Sequence, residues 1–349
     1  MTVSRGFEVI VPYGPDAKGR GYQRRAAQFI DSLDSTTVEV SKGVRRSLSR
    51  TAKFVVANRR MPLSVVAFQA RWDFTPRTDL TPVFFTSRSV PREARRGFVI
   101  DFVDSISSAY DKRASRCATA LGRWFWRREA DLLHEFDSDV LGRASAACAV
   151  SPRDAQALGV RCRVIGMWPE AAKASNGDLR KEAVRSILFF GHLGFPPNAE
   201  AVHWIRRGFA PTLDRAIKVR IAGRGAPRAL RGSPLYIGEY RDLVDLVDSS
   251  TVAIAPVETG SGLQTKVVEA AALGVPTVVT PFVAAGLASP LPQGIVVCER
   301  RAESFAAAVA GIDDSEAVRA DLREWVARHY AFAAIAPLWR ELVQSMPDD

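Results

Sequence analysis

No apolar run in the 349-residue sequence approaches the roughly 18 residues of a membrane-spanning helix. Its opening, "MTVSRGFEVIVPYG", lacks the charged, apolar and small-residue regions of a secretion signal. Both absences point to a cytoplasmic protein. Cysteine and histidine are scarce, with four of each. Cys117, Cys148, Cys162 and Cys298 show no C-x-x-C spacing and three lie in apolar runs, so they read as buried free thiols rather than disulfides or metal ligands. The scattered histidines form no metal cluster, and hydrogen-bonded structural roles are the ordinary reading for all but His192. Short-period repeats and low-complexity tracts are also missing. At "GRGAPR" the third glycine of a dinucleotide fingerprint is absent, which argues against a dehydrogenase.

What is present is a globular composition, 47% hydrophobic and 25% charged. The length exceeds what one hydrophobic core supports, so two domains are expected. Charge divides the chain as well. Residues 1–170 hold 28 Lys and Arg against 18 Asp and Glu, whereas residues 171–349 hold 20 of each, so the net +10 resides in the first half. That asymmetry suggests a first domain that meets something anionic: a membrane surface, a phosphorylated lipid, an acidic saccharide or nucleic acid. Nucleic acid ranks lowest, because no reading motif or stacking platform accompanies the charge.

Short apolar runs of strand length recur in both halves. The first has "FEVIVP" (7–12), "LSVVAF" (63–68), "PVFFTS" (82–87), "GFVIDF" (97–102) and "SAACAVS" (145–151), with helical patterns over 22–33 and 111–136. The second has "SILFFG" (186–191), "KVRIAG" (218–223), "PLYIG" (234–238), "TVAIAP" (251–256), "PTVVT" (276–280) and "GIVVC" (294–298). Strands buried on both faces and separated by helices mean parallel sheets, so each half is expected to be a doubly wound α/β domain. Residues 167–183 have linker composition. The "DSD" at 137–139 sits in a helical pattern and reads as solvated carboxylates rather than a metal motif. In "GRWFWRREADLLHEF" (122–136), Phe125, Glu129, Leu132 and Phe136 fit a packed stripe. Trp124, Phe125 and Trp126 among Arg123, Arg127 and Arg128 also fit an anionic membrane face.

The stretch "ETGSGLQTKVVEAAALGVPTVVT" (258–280) follows a strand and places Gly260 and Gly262 ahead of an apolar helix. Glycine lets the backbone approach a ligand closely, and a helix amino end offers free N–H groups and partial positive charge to a phosphate. Lys266 and Glu269, three residues apart, share a face, where a lysine near phosphates and a carboxylate on ribose hydroxyls would hold a nucleotide. A core helix with a surface Lys–Glu pair and ordinary turn glycines fits the spacing equally well.

The run from "ILFFGHLGFPPNAEAVHWI" through "VRIAGRGAP" to "VVEAAALGVPTVVTPFVAAGL" resembles the donor-binding domain of retaining glycosyltransferases of the GT-B fold, the large family four group. "KGRGYQRRAAQFIDSL" (18–33), "FVIDFVDSISS" (98–108) and "ACAVSPRDAQAL" (148–158) resemble its acceptor domain. The resemblance implies two Rossmann-like domains facing a deep cleft: an acceptor domain over 1–170, a donor domain over 171–330, and a helix within 331–349 that packs back on the first. It implies transfer from a nucleoside diphosphate sugar to a lipid-linked, saccharide or small-molecule acceptor, with retention, no metal and no cofactor. Glu269 would bind ribose; Gly260, Ser261, Gly262 and Leu263 would line phosphates and sugar; Gly191, Gly194 and Gly223 would form neighbouring loops; Glu239 and Tyr240 would meet the base. Lys266 and Arg224 would stabilise the departing diphosphate. On the acceptor side stand Gly19, Gly21 and Arg24. The family's frequent glutamate eight residues before Glu269 is here Ser261, its arginine and lysine after the first donor strand are missing, and its histidine after "FVIDF" is Val103, followed by Asp104. Asp104 becomes the candidate for contact with sugar or acceptor, against an ordinary role capping a loop. With the basic first half, an acceptor at the inner face of the cytoplasmic membrane is expected, with no nucleic acid partner. A non-catalytic nucleotide-binding relative and a GT-B sugar epimerase are the alternatives.

Overall fold

Parallel strands cannot be joined by tight turns, so each needs a crossover that covers one face of the sheet. The computed structural model, which describes residues 6–11, 21–33, 38–42, 44–45, 61–73, 80–92, 94, 97–159, 162–169 and 185–346, is built on that rule twice. It divides into two units. One comprises Met1–Met167, Gly260–Gly262 and Ile335–Asp349; the other comprises Trp168–Thr259 and Leu263–Ala334. Most of the stretch with linker composition lies outside the described residues.

In the first unit the strands are β1 (Phe7–Val11), β2 (Val38–Lys42), β3 (Val44–Arg45), β4 (Trp72–Asp73), β5 (Thr81–Phe84), β6 (Phe98–Phe102), β7 (Ala144–Ala149) and β8 (Arg163–Val164). Six form an all-parallel sheet in the order β2-β1-β5-β6-β7-β8, while β3 and β4 pair antiparallel. In the second unit β9 (Ser186–Phe190), β10 (Lys218–Ala222), β11 (Tyr236–Gly238), β12 (Thr251–Ala255), β13 (Thr277–Val279) and β14 (Ile295–Val297) form another parallel sheet, ordered β11-β10-β9-β12-β13-β14. Counted from its own first strand, that order is 3-2-1-4-5-6, the doubly wound arrangement whose strand direction of travel reverses between β9 and β12. The molecule is α/β throughout.

Four sequence expectations are corrected. "LSVVAF" is not a strand: Leu63–Gln69 is a helix that follows Pro62, burying Val65, Val66 and Gln69 at helical spacing. Burial on one helical face overrides the strand preference of the valines. The helical pattern over 111–136 is two helices, Ile106–Arg116 and Ala120–Arg143, because the Thr119 hydroxyl accepts from Gly122 N at 3.2 Å and starts the second. In that second helix the buried stripe is Glu129, Ala130, Leu133, Asp137 and Val140, with Phe125, Leu132 and Phe136 only half-buried. Asp137 is therefore no solvated carboxylate; it accepts from Ser107 Oγ at 3.1 Å, and burial raises its pKa against the pull of the Ser87 and Ser107 hydroxyls. Asp139 remains exposed and pairs with Arg143 at 2.9 Å. All four cysteines are free thiols, with Cys148 and Cys162 buried and Cys117 and Cys298 half-buried.

Among the described residues of the first unit an ion pair is fully buried. Asp101 interrupts the apolar run of β6, and Arg25, on the helix Gly21–Ser32, donates Nε to Asp101 Oδ2 at 2.6 Å with both side chains fully buried. The guanidinium also donates to the Gly166 carbonyl and lies 4.5 Å from the Trp339 ring centroid, while Trp339 packs edge-on to Phe29 at 5.1 Å. Burial lifts the Asp101 pKa, and the Arg25 charge works against that rise. Breaking such a pair strands a charge in the core. Asp101→Ala is expected to destabilise the first unit by about 3–5 kcal/mol in urea unfolding. The double variant Arg25→Met, Asp101→Leu is expected to recover most of that loss. Equal losses in single and double variants would show that the pair is not the source.

Candidate functional site

Three strands of the second sheet run into glycine at their carboxyl ends. Gly191 follows β9, Gly223 follows β10, and Gly260 and Gly262 lie beyond β12, with φ of 129°, 134°, 103° and 75°. At Gly223 the demand is steric as well as torsional, since an added Cβ would stand 1.9 Å from the Gly191 carbonyl oxygen. The loops are laced together: Gly191 N donates to Ala222 O at 3.1 Å, Gly223 N to Gly238 O at 2.9 Å, and Leu193 N to Arg224 O at 2.8 Å. Gly194 is tight but less so, with a Cβ position 3.0 Å from Gly225 O. A carboxyl-end crevice beside the reversal point is where open α/β sheets take ligands.

Behind these loops the helix Thr265–Ala272 begins with no side-chain cap on its first turn. Its apolar positions Val267, Val268, Ala270 and Ala271 are buried in the core, and Lys266 lies against the loop at Gly191. Lys266 is only 8% exposed. Its Nζ donates to Asn198 Oδ1 at 2.6 Å and lies 4.2 Å from the Phe189 ring centroid. Burial lowers the amine to about 7, against the attraction of Glu269, which is half-buried. A dry amine beside close-packed backbone suits a ligand that brings its own negative charge.

The remaining expected residues are spread more widely. Arg224 and Glu239 are exposed, Tyr240 is half-buried with its ring edge-on to Phe190 at 6.1 Å, and Leu263 is half-buried against the second unit's core. Gly21 opens the helix that carries half-buried Arg24, while Gly19 lies outside the described residues. In the first unit, Asp104 follows β6. It is exposed by its own surface area, yet protein crowds it at longer range, and this burial is the first cause that lifts its carboxyl to about 6. The negative Asp154 adds to the rise, whereas Arg88 and a hydrogen bond with Ser261 oppose it.

Several residues that the sequence reading passed over complete these groups. Asp154 Oδ2 accepts from Gly262 N at 2.9 Å, and Arg153 Nη2 donates to Gly262 O at 2.9 Å, so adjacent side chains clamp one glycine from both sides. The S-x-x-D spacing of Ser151 and Asp154, a helix-capping signal, was available in the sequence. In the second unit Arg300 pairs with Glu200 at 2.9 Å and with Glu258 at 2.7 Å, tying down the start of the 258–264 loop. Long sequence separation hides that network. Asn198 was within reach, standing just after Pro196 and Pro197 in the first turn of the helix Pro196–Trp204.

Residues 184–313 match the family model described as Glycosyl transferases group 1. A search of the curated proteins gives no match. Among solved structures, HepE from Anabaena in complex with UDP-glucose superposes with TM-score 0.63 at 12% identity, covering 97% of this chain and 100% of that one. A sucrose-phosphate synthase from Thermosynechococcus elongatus gives 0.61 at 12% identity over 97% and 98%. WaaG, a glycosyltransferase involved in lipopolysaccharide biosynthesis, gives 0.61 at 11% identity over 96% and 99%. These likenesses identify the fold.

Gly223→Ala tests the lacing of the loops. The forced shift of two backbones at a left-handed position is expected to lower the stability of the second unit by roughly 1–3 kcal/mol in denaturant unfolding. An unchanged midpoint would mean that the loops can separate at no cost.

Proposed function

We propose, from the match of residues 184–313 to the group 1 glycosyl transferases and from the GT-B fold of the chain, that this protein is a glycosyltransferase that moves a sugar from a nucleoside diphosphate sugar to an acceptor, with retention of configuration and without a bound metal. The observation that carries the proposal is the buried Lys266 amine set behind the glycine loops at the carboxyl ends of β9, β10 and β12. In this reading Glu269 accepts hydrogen bonds from the ribose hydroxyls, and Glu239 and Tyr240 meet the base. Gly260, Ser261, Gly262 and Leu263 approach the phosphates and sugar. As the bond from the anomeric carbon to the diphosphate oxygen breaks, negative charge gathers on the leaving group. Lys266, Arg224 and the uncapped helix amides are the groups that would stabilise it there. Asp104 contacts the sugar or the acceptor hydroxyl.

HepE has been captured with UDP-glucose, so UDP is the first probe. Glu269→Ala is expected to weaken UDP binding by about 1.5–3 kcal/mol, the scale of a charged hydrogen-bonding group. Unchanged affinity in a folded variant, measured by calorimetry, would remove the ribose assignment.

The proposal places the acceptor on an anionic membrane leaflet. On the helix Ala120–Arg143, Leu121 is 75% exposed and Trp124 62% exposed, three residues apart and among exposed Arg123, Arg127 and Arg128. No helix among the described residues is long and apolar enough to cross a membrane, and the contact proposed is at the surface. Each basic residue near such a surface contributes on the order of 1 kcal/mol, decaying over a Debye length of about 8 Å at physiological salt. The full-length protein is expected to sediment with vesicles containing anionic lipid, to be released as salt rises, and to lose binding when Arg123, Arg127 and Arg128 are changed to glutamate. No preference for anionic over neutral vesicles at low salt would end the membrane reading.

A further inference from the structure

Lys266 is held by a neutral partner, and that partner is held in turn. Asn198 is itself 8% exposed, and its two amide atoms are committed in opposite directions: Oδ1 accepts from Lys266 Nζ at 2.6 Å, and Nδ2 donates to the His192 carbonyl at 2.9 Å. The His192 carbonyl can only accept, so Nδ2 must face it and Oδ1 must face the lysine, which gives the amide one orientation. Pro196 and Pro197 open the helix that carries Asn198, and their fixed φ holds its first turn. At Gly191 the missing side chain leaves the amine close to the loop: a Cβ there would be 3.8 Å from Lys266 Cε and 3.9 Å from Nζ.

We propose that Asn198 is a positioning residue for donor binding, which aims the Lys266 amine at the β9 loop while leaving it without a matched countercharge, so that an arriving diphosphate brings a proton onto the amine. The proposal rests on the donor site described above. In the step itself the Lys266 nitrogen lone pair takes a proton from solvent buffer, and the resulting ammonium pairs with a phosphate oxygen.

The charges around the amine are few. Glu269, three residues on along the same helix, favours the ammonium, and burial outweighs it, giving a value of about 7. The adjoining strands β9, β12 and β13 contain no charged residue. On the helix Pro196–Trp204, Glu200 is engaged by Arg300, and His203 lies near its end. The helix Glu316–Tyr330 brings Arg319 and Arg323 to Gly274, beyond the far end of the Lys266 helix. His192 and Arg224, in the loops after β9 and β10, are exposed. A carboxylate at position 198 would supply the missing countercharge, whereas the amide supplies orientation alone.

The test uses the intact protein with UDP as probe, above pH 7, where a terminal phosphate with a second pKa of about 6 is already ionised. Calorimetry at pH 8 in buffers of different ionisation enthalpy is expected to show uptake of about one proton per UDP by the wild type. Its affinity is expected to fall toward a limit of about tenfold per pH unit between pH 7.5 and 9. Asn198→Asp should flatten this dependence and abolish the uptake. Carbon-13 NMR of lysine-labelled protein without ligand supplies a second readout, with Lys266→Arg identifying the resonance. Lys266 should titrate near 7 in the wild type and well above that in Asn198→Asp. UDP binding without proton uptake, or a Lys266 resonance that titrates alike in both proteins, overturns the role of Asn198. If Lys266 titrates near 7 and responds to Asn198→Asp, but UDP binds at no pH, the donor reading falls instead.

Discussion

Every strand pair in the two six-stranded sheets is parallel, and much of the chemistry follows from that pairing. A parallel pair must be joined by a crossover, so all strands of a sheet point the same way and their carboxyl ends share one edge. In the second unit this brings the ends of β9, β10 and β12 side by side, although 60 or more residues of sequence separate the first from the last. The glycines at those ends are a consequence of how tightly the loops then sit. Gly191 and Gly223 touch through backbone, leaving no room for a side chain between them.

Two buried cations show how the same physics serves different ends. Arg25 meets Asp101 at 2.6 Å with both groups fully buried, its Nη1 donates to the Gly166 carbonyl, and the guanidinium carbon lies over the Trp339 ring. Each charge is matched inside the protein, and the result is cohesion. Lys266 meets an asparagine oxygen and a phenyl ring, neither of which carries a full charge. Its environment is incomplete as an ion pair and complete as a hydrogen bond, which is the arrangement expected where the balancing charge comes from a ligand.

The inner sheet strands were legible because burial on both faces writes them as continuous apolar runs, and β1, β6, β9 and β12 lie where such runs are, whereas the exposed edge strands β2 and β8 carry no such run. Leu63–Gln69 misled for the same reason, since two valines in a short run do not reveal whether one face or both are covered. The glycine loop with Lys266 and Glu269 could be read from spacing, because the residues lie on consecutive turns of one segment. The helix starts that carry Asn198 and Asp154 leave a local signal, but their bonds to Lys266 and Gly262, like the Arg300 pairs, could not be read from spacing, because those partners are distant in sequence. Asp137 was misjudged because a carboxylate on a helix is usually solvated, and the serine hydroxyls that receive it come from other segments.

The first unit is not a continuous piece of chain: it takes in Ile335–Asp349, where Trp339 closes over Phe29 and Arg25. Translation delivers Trp168–Ala334 in full before that segment appears, so the unit that is begun first is finished second. A nascent chain must then hold the apolar surface around Phe29 uncovered while the second unit forms, reversing the usual vectorial order in which amino-terminal domains fold first. A chain cut before Trp339 keeps every residue of Trp168–Ala334 and loses the cover over Phe29 and Arg25, so the defect appears in the unit farthest along the sequence from the cut.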